Sequence, residues 1–186
     1  MMSVWSESHA EIPADNQKVS GQLEPDNPLW RFAIAFWQKA NVQDSCLALQ
    51  QRGWSVTRIL CAAWLALNGR SYTGLEDATV TEWRSRVTGA LRAVRKSLPK
   101  TTANFNNLRT GVAGLELEAE RIELALAWQT LMTLNPETGN MHGREQLIHE
   151  NLEAAAPATT VDRGATPLLN TLASALADVS KGELQP

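Results

Sequence analysis

The hydrophobic and polar positions between residues 27 and 134 repeat with the spacing of α-helices. Apolar side chains recur every three or four residues, and no segment shows the strict alternation that is typical of a half-buried β-strand. Capping and turn residues divide this pattern into predicted helices over residues 28–40, 41–52, 55–67, 79–98 and 104–134. We therefore predict an all-α fold, a compact five-helix domain with an orthogonal or bundle arrangement.

The first and third predicted helices have apolar residues on more than one side. On the first helix, which begins at the capping pair Asn27 and Pro28, these residues cover an arc of roughly 200°. On the third helix, Thr57 and Arg58 are the only polar residues before Asn68. Helices of this kind are contacted from several directions, so we expect both at the centre of the core.

The fourth and fifth predicted helices carry opposite charges. The fourth begins at a capping box formed by Thr79 and Glu82, and its basic residues lie opposite an apolar stripe. That stripe consists of Val80, Trp83, Val87, Leu91, Val94 and Leu98. The fifth helix has a heptad-like apolar seam from Phe105 to Leu126 and an acidic middle. Because the connection is short, we predict an antiparallel hairpin across which these charges pair.

The two ends of the chain lack this strong pattern. Residues 1–26 are polar and without periodicity, which predicts a flexible, disordered N-terminal tail next to the helical domain of residues 27–134. Residues 135–186 are predicted to form a linker followed by a short amphipathic helix over residues 167–180. We expect this C-terminal helix to be loosely attached, either folded back on the bundle or docked in a groove of another protein.

Composition and charge limit the possible settings. The apolar share is 44% and the formal net charge is −3, which argues against bulk nucleic-acid binding but leaves room for a local basic face. No apolar run approaches the roughly 20 residues of a membrane-spanning helix, and the N-terminus lacks the apolar segment of a signal peptide. We expect a soluble, cytoplasmic protein without membrane contact, in which Cys46 and Cys61 are buried, reduced thiols.

The segment NPLWRFAIAFWQKANVQDSCLALQQRGWSVTRILCAAWLALNG, with the later stretches VTEWRSRV, LRAVRKSLPK and LELEAERIELALAWQ, resembles a known group of proteins. This group is a family of small uncharacterised bacterial helical proteins, found mainly in gammaproteobacteria. The resemblance covers about residues 27–134. It implies a helical fold and a bacterial cytosolic setting, and it implies no catalytic residues.

One possible interpretation is an aromatic ligand pocket lined by Trp30, Trp37, Trp54, Trp64 and Trp83. Trp54 follows Gly53 in a turn, so we expect it to be partly exposed. Arg58, the only charge on the third helix, is a candidate anchor for a ligand, and Arg70 and Tyr72 are candidates for the same rim. In the alternative interpretation the tryptophans pack the core, and Arg58 pairs with Asp44 or caps carbonyls at the edge of the bundle.

The basic face of the fourth helix is a candidate interaction surface. It consists of Arg84, Arg86, Arg92, Arg95 and Lys96. An acidic protein partner, a phosphate-bearing ligand or RNA would suit this face, although no exposed aromatic residues interleave with it as in many RNA-binding surfaces. The alternative is a solvated face whose charges pair with the fifth helix.

Residues with catalytic or metal-binding chemistry form no recognisable motif. Cys46 and Cys61 lack metal or redox spacing, and His142 and His149 are separated by seven positions near glycines. We therefore predict no enzymatic activity, no metal site and no cofactor. The favoured hypothesis is a non-enzymatic protein-interaction or adaptor module with an unidentified protein partner. The alternatives are a small ligand in a Trp-lined pocket and, less favoured, RNA or nucleotide binding through the fourth helix.

Overall fold

The structure, a computed structural model, describes residues 22–100, 103–135, 143–157 and 164–179. The helices are α1 (Pro28–Trp37), α2 (Val42–Gln51), α3 (Val56–Leu67), α4 (Ala78–Trp83), α5 (Gly89–Ser97), α6 (Ala103–Leu134), α7 (Arg144–Ala154) and α8 (Thr166–Ala177). A π-helical turn, Arg84–Thr88, joins α4 to α5, so that these three pieces form one continuous rod.

The all-α prediction is confirmed, because no strand occurs in these described ranges. The count of five helices in the domain is wrong, because α7 and the predicted C-terminal helix, α8, share one core with the five predicted rods. No helix in the described part of the chain is both long and apolar enough to cross a membrane.

Local sequence explains where several helices begin. The side chain of Asn27 accepts a hydrogen bond from the backbone N–H of Trp30 at 2.9 Å, and Pro28 follows as the first helical residue, as predicted. The start of α4 differs from the prediction. Asp77, two residues before the expected cap Thr79, accepts hydrogen bonds from both the backbone N–H and the hydroxyl of Thr79. These bonds lower the pKa of Asp77 below its usual value.

Helix α3 lies at the centre of the core and is enclosed by α1, α2, α6 and α7. Helix α8 packs against α7 and α2, and its buried residues Leu169, Leu172 and Leu176 belong to the same apolar core as Phe32 of α1. The expectation of a loosely attached C-terminal helix is therefore wrong. The physical reason for the tight packing begins with α3, which is apolar on nearly all sides and has an apolar face that α7 covers. Helix α8 then packs against α7 and α2.

Side-chain hydrogen bonds fix this C-terminal region to the rest of the fold. The buried Asn151 of α7 donates to the carbonyl oxygens of Ala62 at 3.1 Å and Arg70 at 2.8 Å, and it accepts from the backbone N–H of Tyr72 at 2.9 Å. At the other end of α7, Arg144 donates to the carbonyl oxygen of Val179 at 2.6 Å. These bonds tie α7 to α3, to the loop after it and to the end of α8.

The two predicted buried thiols are present. Cys46 and Cys61 are free and buried, and burial raises the pKa of Cys46 to about 12. The predicted tail falls mostly on residues 1–21, which lie outside the described residues. Parts of the predicted linker, residues 136–142 and 158–163, also lie outside them.

Candidate ligand-binding cavity

A cavity of about 630 Å³ lies between the first three helices and the charged hairpin of α5 and α6. Its apolar wall includes Trp30, Trp37, Trp54, Ile34, Leu47 and Leu60. Its charged wall comprises Arg84, Arg92, Arg95, Lys96, Glu116, Glu120 and Glu123. A cavity of this size lies within the range of roughly 300–1,000 Å³ that is usual for small-molecule sites.

Three large aliphatic side chains of the lining remain in contact with water. Ile34 is 44% exposed, Leu47 is 38% exposed and Leu117 is 53% exposed. Burying apolar surface of this kind is favourable by about 25 cal/mol per Å². The cavity therefore offers apolar surface that a bound molecule would cover.

The π-helical turn determines which side chains of the hairpin face the cavity. A π-turn adds one residue to the helix and so rotates all later residues by about 100° relative to an uninterrupted α-helix. The predicted apolar stripe is interrupted for this reason: Val80 is buried, whereas Val94 is exposed and α5 buries none of its residues. Arg92 and Arg95 instead contact the acidic residues of α6.

Glu76 is the centre of one ion-pair cluster behind the cavity. It accepts hydrogen bonds from Arg58 at 3.0 Å and from Arg84 at 2.9 Å, and Arg84 also donates to Glu123 at 2.7 Å. Burial alone would raise the pKa of Glu76, but the hydrogen bonds and charges of the two arginines outweigh it and lower that pKa. Burial opposes the charge of Arg84 as well, yet Glu76 and Glu123 hold its pKa above the usual value.

A second cluster crosses the hairpin between α5 and α6, as the opposite charges predicted. Arg92 donates to Glu116 at 2.9 Å and to Glu120 at 2.6 Å, and Arg95 also donates to Glu116. Burial raises the pKa of Glu120 despite its pairing with Arg92. Burial also acts to raise the pKa of Glu116, but its two arginine partners outweigh this effect and lower the pKa.

The lining retains hydrogen-bond donors that have no acceptor. The indole Nε1 of Trp54 is buried and has no hydrogen-bond partner in the described part of the chain. Over the same residues, the Nη1 atoms of Arg92 and Arg95 make no hydrogen bond, and Lys96 makes neither a hydrogen bond nor an ion pair. The two oxygens of Glu116 both already accept from arginines.

The structure places the predicted ligand contacts in two regions. Trp54 lines the cavity, but it is only 5% exposed, so the expectation that it would be partly exposed is wrong. Arg58 donates to the carbonyl oxygens of Ala154 and Ala155 at the end of α7, and its guanidinium carbon lies 5.7 Å from the ring centroid of Tyr72. Arg58 therefore caps helix carbonyls, as one alternative predicted, and its acidic partner is Glu76 instead of the predicted Asp44.

Arg70 and Tyr72 also lie outside the cavity lining. Arg70 donates to the carbonyl oxygen of Asn135 at 2.7 Å and to that of Met132 at 3.2 Å, at the end of α6. Tyr72 is buried, and burial raises the pKa of its hydroxyl. Arg70 thus caps the end of α6, and the ring of Tyr72 lies beneath the guanidinium of Arg58.

The candidate interaction face is similarly divided. Arg84, Arg92, Arg95 and Lys96 line the cavity, whereas Arg86 is exposed and does not belong to the lining.

The tryptophans are also divided: Trp30, Trp37 and Trp54 line the cavity, and Trp64 and Trp83 pack elsewhere. Trp64 packs edge-to-face on Trp128 at 5.1 Å, and Trp83 donates its indole N–H to the carbonyl oxygen of Ala119 at 2.9 Å. The lining residues of α6, including Glu120 and Leu117, had no distinguishing signal in the sequence.

Metal-binding residues are not grouped in the described ranges. No three or more His, Cys, Asp or Glu residues are close enough there to hold an ion. His149 is exposed on α7, and His142 lies outside the described residues.

Comparisons with known proteins give one match. No curated protein and no solved structure matched the chain. The comparison with protein families matched residues 28–126, from the first residue of α1 to within α6. This segment contains every residue of the cavity lining, from Trp30 to Leu124, whereas α7 and α8 lie beyond it. The chain belongs to the family described as "Protein of unknown function (DUF2390)".

Proposed function

We propose that the chain binds a small, partly apolar molecule in the cavity between α1–α3 and the hairpin of α5 and α6. The main observation behind this proposal is the lining of the cavity of about 630 Å³, in which Trp30, Trp37 and Trp54 form one wall and charged residues form the other. Small-molecule sites are typically concave and mostly apolar, with a few polar groups that orient the ligand. All lining residues fall within the family segment, which supports a role shared by the family.

The pairing of the basic residues favours this proposal over an adaptor that binds through the basic face. Arg84, Arg92 and Arg95 donate to carboxylates of α6, so much of their charge is compensated within the chain. A partner protein or RNA would have to compete with these bonds. Lys96 and Arg86 alone are a small surface for such a partner.

We propose binding without a covalent step. Glu116 accepts hydrogen bonds from Arg92 and Arg95, which lower its pKa and favour a fixed ionised group over a proton donor. From the sequence resemblance we also propose a bacterial, cytoplasmic setting. The free, buried Cys46 and Cys61 are compatible with a reducing compartment.

Titration with the neutral apolar fluorophore N-phenyl-1-naphthylamine tests the proposal. Ala113 lies in the lining on α6, so Ala113→Phe adds a ring at the cavity wall, whereas Ala93→Phe adds the same ring to a position of α5 outside the lining; both alanines are exposed. We expect saturable binding to the wild type and to Ala93→Phe, and an affinity about tenfold weaker or worse for Ala113→Phe. Circular dichroism verifies that both variants are folded.

Two results would overturn the proposal. One is the absence of saturable binding to the wild type. The other is equal affinity for the wild type and for Ala113→Phe, which would locate the fluorophore elsewhere on the surface.

A further inference from the structure

We infer that the natural ligand is an organic anion, with an apolar body against the tryptophans and an acidic group beside Arg92, Arg95 and Lys96, the α5 residues of the charged wall. This inference rests on the proposed function and adds the chemical class of the ligand. It follows from a difference between the charged groups of the lining: the carboxylates are paired with arginines, whereas some of the cationic donors have no partner among the described residues.

Lys96 supplies the first argument. It lies at the C-terminal end of α5, lines the cavity and has neither an ion pair nor a hydrogen bond to any described residue. The nearby Arg92 and Arg95 are paired with Glu116, so Lys96 is the cation of this wall that lacks a counter-charge. An acidic group on a ligand would supply it.

The unused N–H groups supply the second argument. Arg92 and Arg95 each retain an Nη1 group that makes no hydrogen bond within the described ranges. A ligand that brings acceptor oxygens into the cavity would satisfy these donors, and an anionic acceptor forms the stronger bonds.

The charge balance of the lining favours an anionic over a cationic ligand. Tryptophans beside carboxylates can form a cation-binding site, but here four cationic residues line the cavity against three carboxylates. Arg121 already places its guanidinium carbon 5.6 Å from the ring centroid of Trp30. A cationic ligand would therefore meet net repulsion and a tryptophan that already has a cation as its neighbour.

A series of compounds on one naphthalene body tests the inference by isothermal titration calorimetry at pH 7. The acidic arms are 1-naphthoate, naphthalene-1-sulfonate and 1-naphthyl phosphate, the neutral arm is 1-naphthol and the cationic arm is 1-naphthylmethylammonium. We expect at least one acidic arm to bind about tenfold tighter than the neutral arm. The acid that binds tightest identifies the acidic group.

Variants connect this preference to individual side chains. Lys96→Gln removes the unpaired charge. It should lower the affinity for the preferred acid by about fivefold or more and change that for 1-naphthol much less. Lys100→Gln is the matched control, because Lys100 is exposed and outside the lining.

The possible failures of the two proposals are distinguishable. If 1-naphthol or the cationic arm binds as tightly as every acid, the ligand is not an anion, although the cavity still binds small molecules. The same conclusion follows if Lys96→Gln keeps the wild-type preference for acids. If N-phenyl-1-naphthylamine and all naphthalene compounds fail to bind, the proposed function itself is overturned.

Discussion

The backbone N–H of Gly89 donates a hydrogen bond to the carbonyl oxygen of Arg84, which closes the π-helical turn between α4 and α5. A Cβ atom added to Gly89 would lie only 2.9 Å from that same oxygen. The turn therefore has no room for a side chain at residue 89. Since the turn also rotates α5 relative to α4, Gly89 helps to direct Arg92 and Arg95 towards α6.

Substitution of Gly89 by alanine should destabilise the fold, although Gly→Ala in a helix is ordinarily stabilising by up to about 1 kcal/mol. The crowding against the Arg84 carbonyl is expected to cost about 1–3 kcal/mol, because backbone atoms cannot rotate away. Urea denaturation measures this as a lower free energy of unfolding.

Gly111→Ala is the matched control for this substitution. Gly111 lies in α6, and a Cβ there would meet no atom within 4 Å, so we expect a stabilisation of up to about 1 kcal/mol. A stabilisation of similar size for Gly89→Ala would refute the steric role of Gly89.

The sequence reveals much of the local structure of this molecule and less of its long-range packing. The start of α1 follows from Asn27 and Pro28, whose capping chemistry is local. The π-turn is not evident, because spacing rules assume one uniform helical repeat and Gly89 alone does not distinguish a π-turn from a tolerated glycine. The packing of α7 depends on Asn151 bonding to residues more than 75 positions away, which no local pattern reveals.

The candidate site follows the same division. The pairing between α5 and α6 is predictable because the charges of both helices are visible in the sequence. The cavity is not predictable, because it depends on how α1 and α2 are placed against that hairpin. For this reason the sequence does not distinguish Arg58 and Arg70 from Trp54. Their guanidinium groups bind carbonyls at the ends of α7 and α6, outside the lining.

Removal of the Glu76 carboxylate should strongly destabilise the protein. Its side chain is 10% exposed and pairs with both Arg58 and Arg84, so Glu76→Ala leaves two largely buried guanidinium groups short of a counter-charge. We expect a loss of about 3 kcal/mol in the free energy of unfolding. Glu82→Ala, at an exposed position of α4, should change it by less than about 0.5 kcal/mol. Similar losses in both variants would contradict this role of Glu76.

The same carboxylate predicts a pH dependence of stability. The pKa of Glu76 in the folded protein lies below its ordinary value of 4.5, so folding favours the ionised form. Its stabilising contribution is complete well above pH 4.5 and is lost as the pH falls through the folded pKa. The wild type should therefore lose stability below about pH 4.5 more steeply than Glu76→Gln, which has no proton to take up there. Urea denaturation between pH 3 and pH 7 measures both slopes, and parallel curves would refute the assignment.

The hydrogen bonds of Asn151 lead us to predict that α7, which lies beyond the family segment, is required for the stability of that segment. Asn151→Ala removes three hydrogen bonds in the core and leaves the carbonyl oxygens of Ala62 and Arg70 and the N–H of Tyr72 without this partner. Because unsatisfied buried polar groups are costly, we expect a loss of about 2–4 kcal/mol in the free energy of unfolding. Asn170→Ala, on the exposed side of α8, serves as the control and should have an effect below about 0.5 kcal/mol. Chemical denaturation followed by tryptophan fluorescence measures both, and a small effect of Asn151→Ala would indicate that α7 contributes little to holding α3 in place.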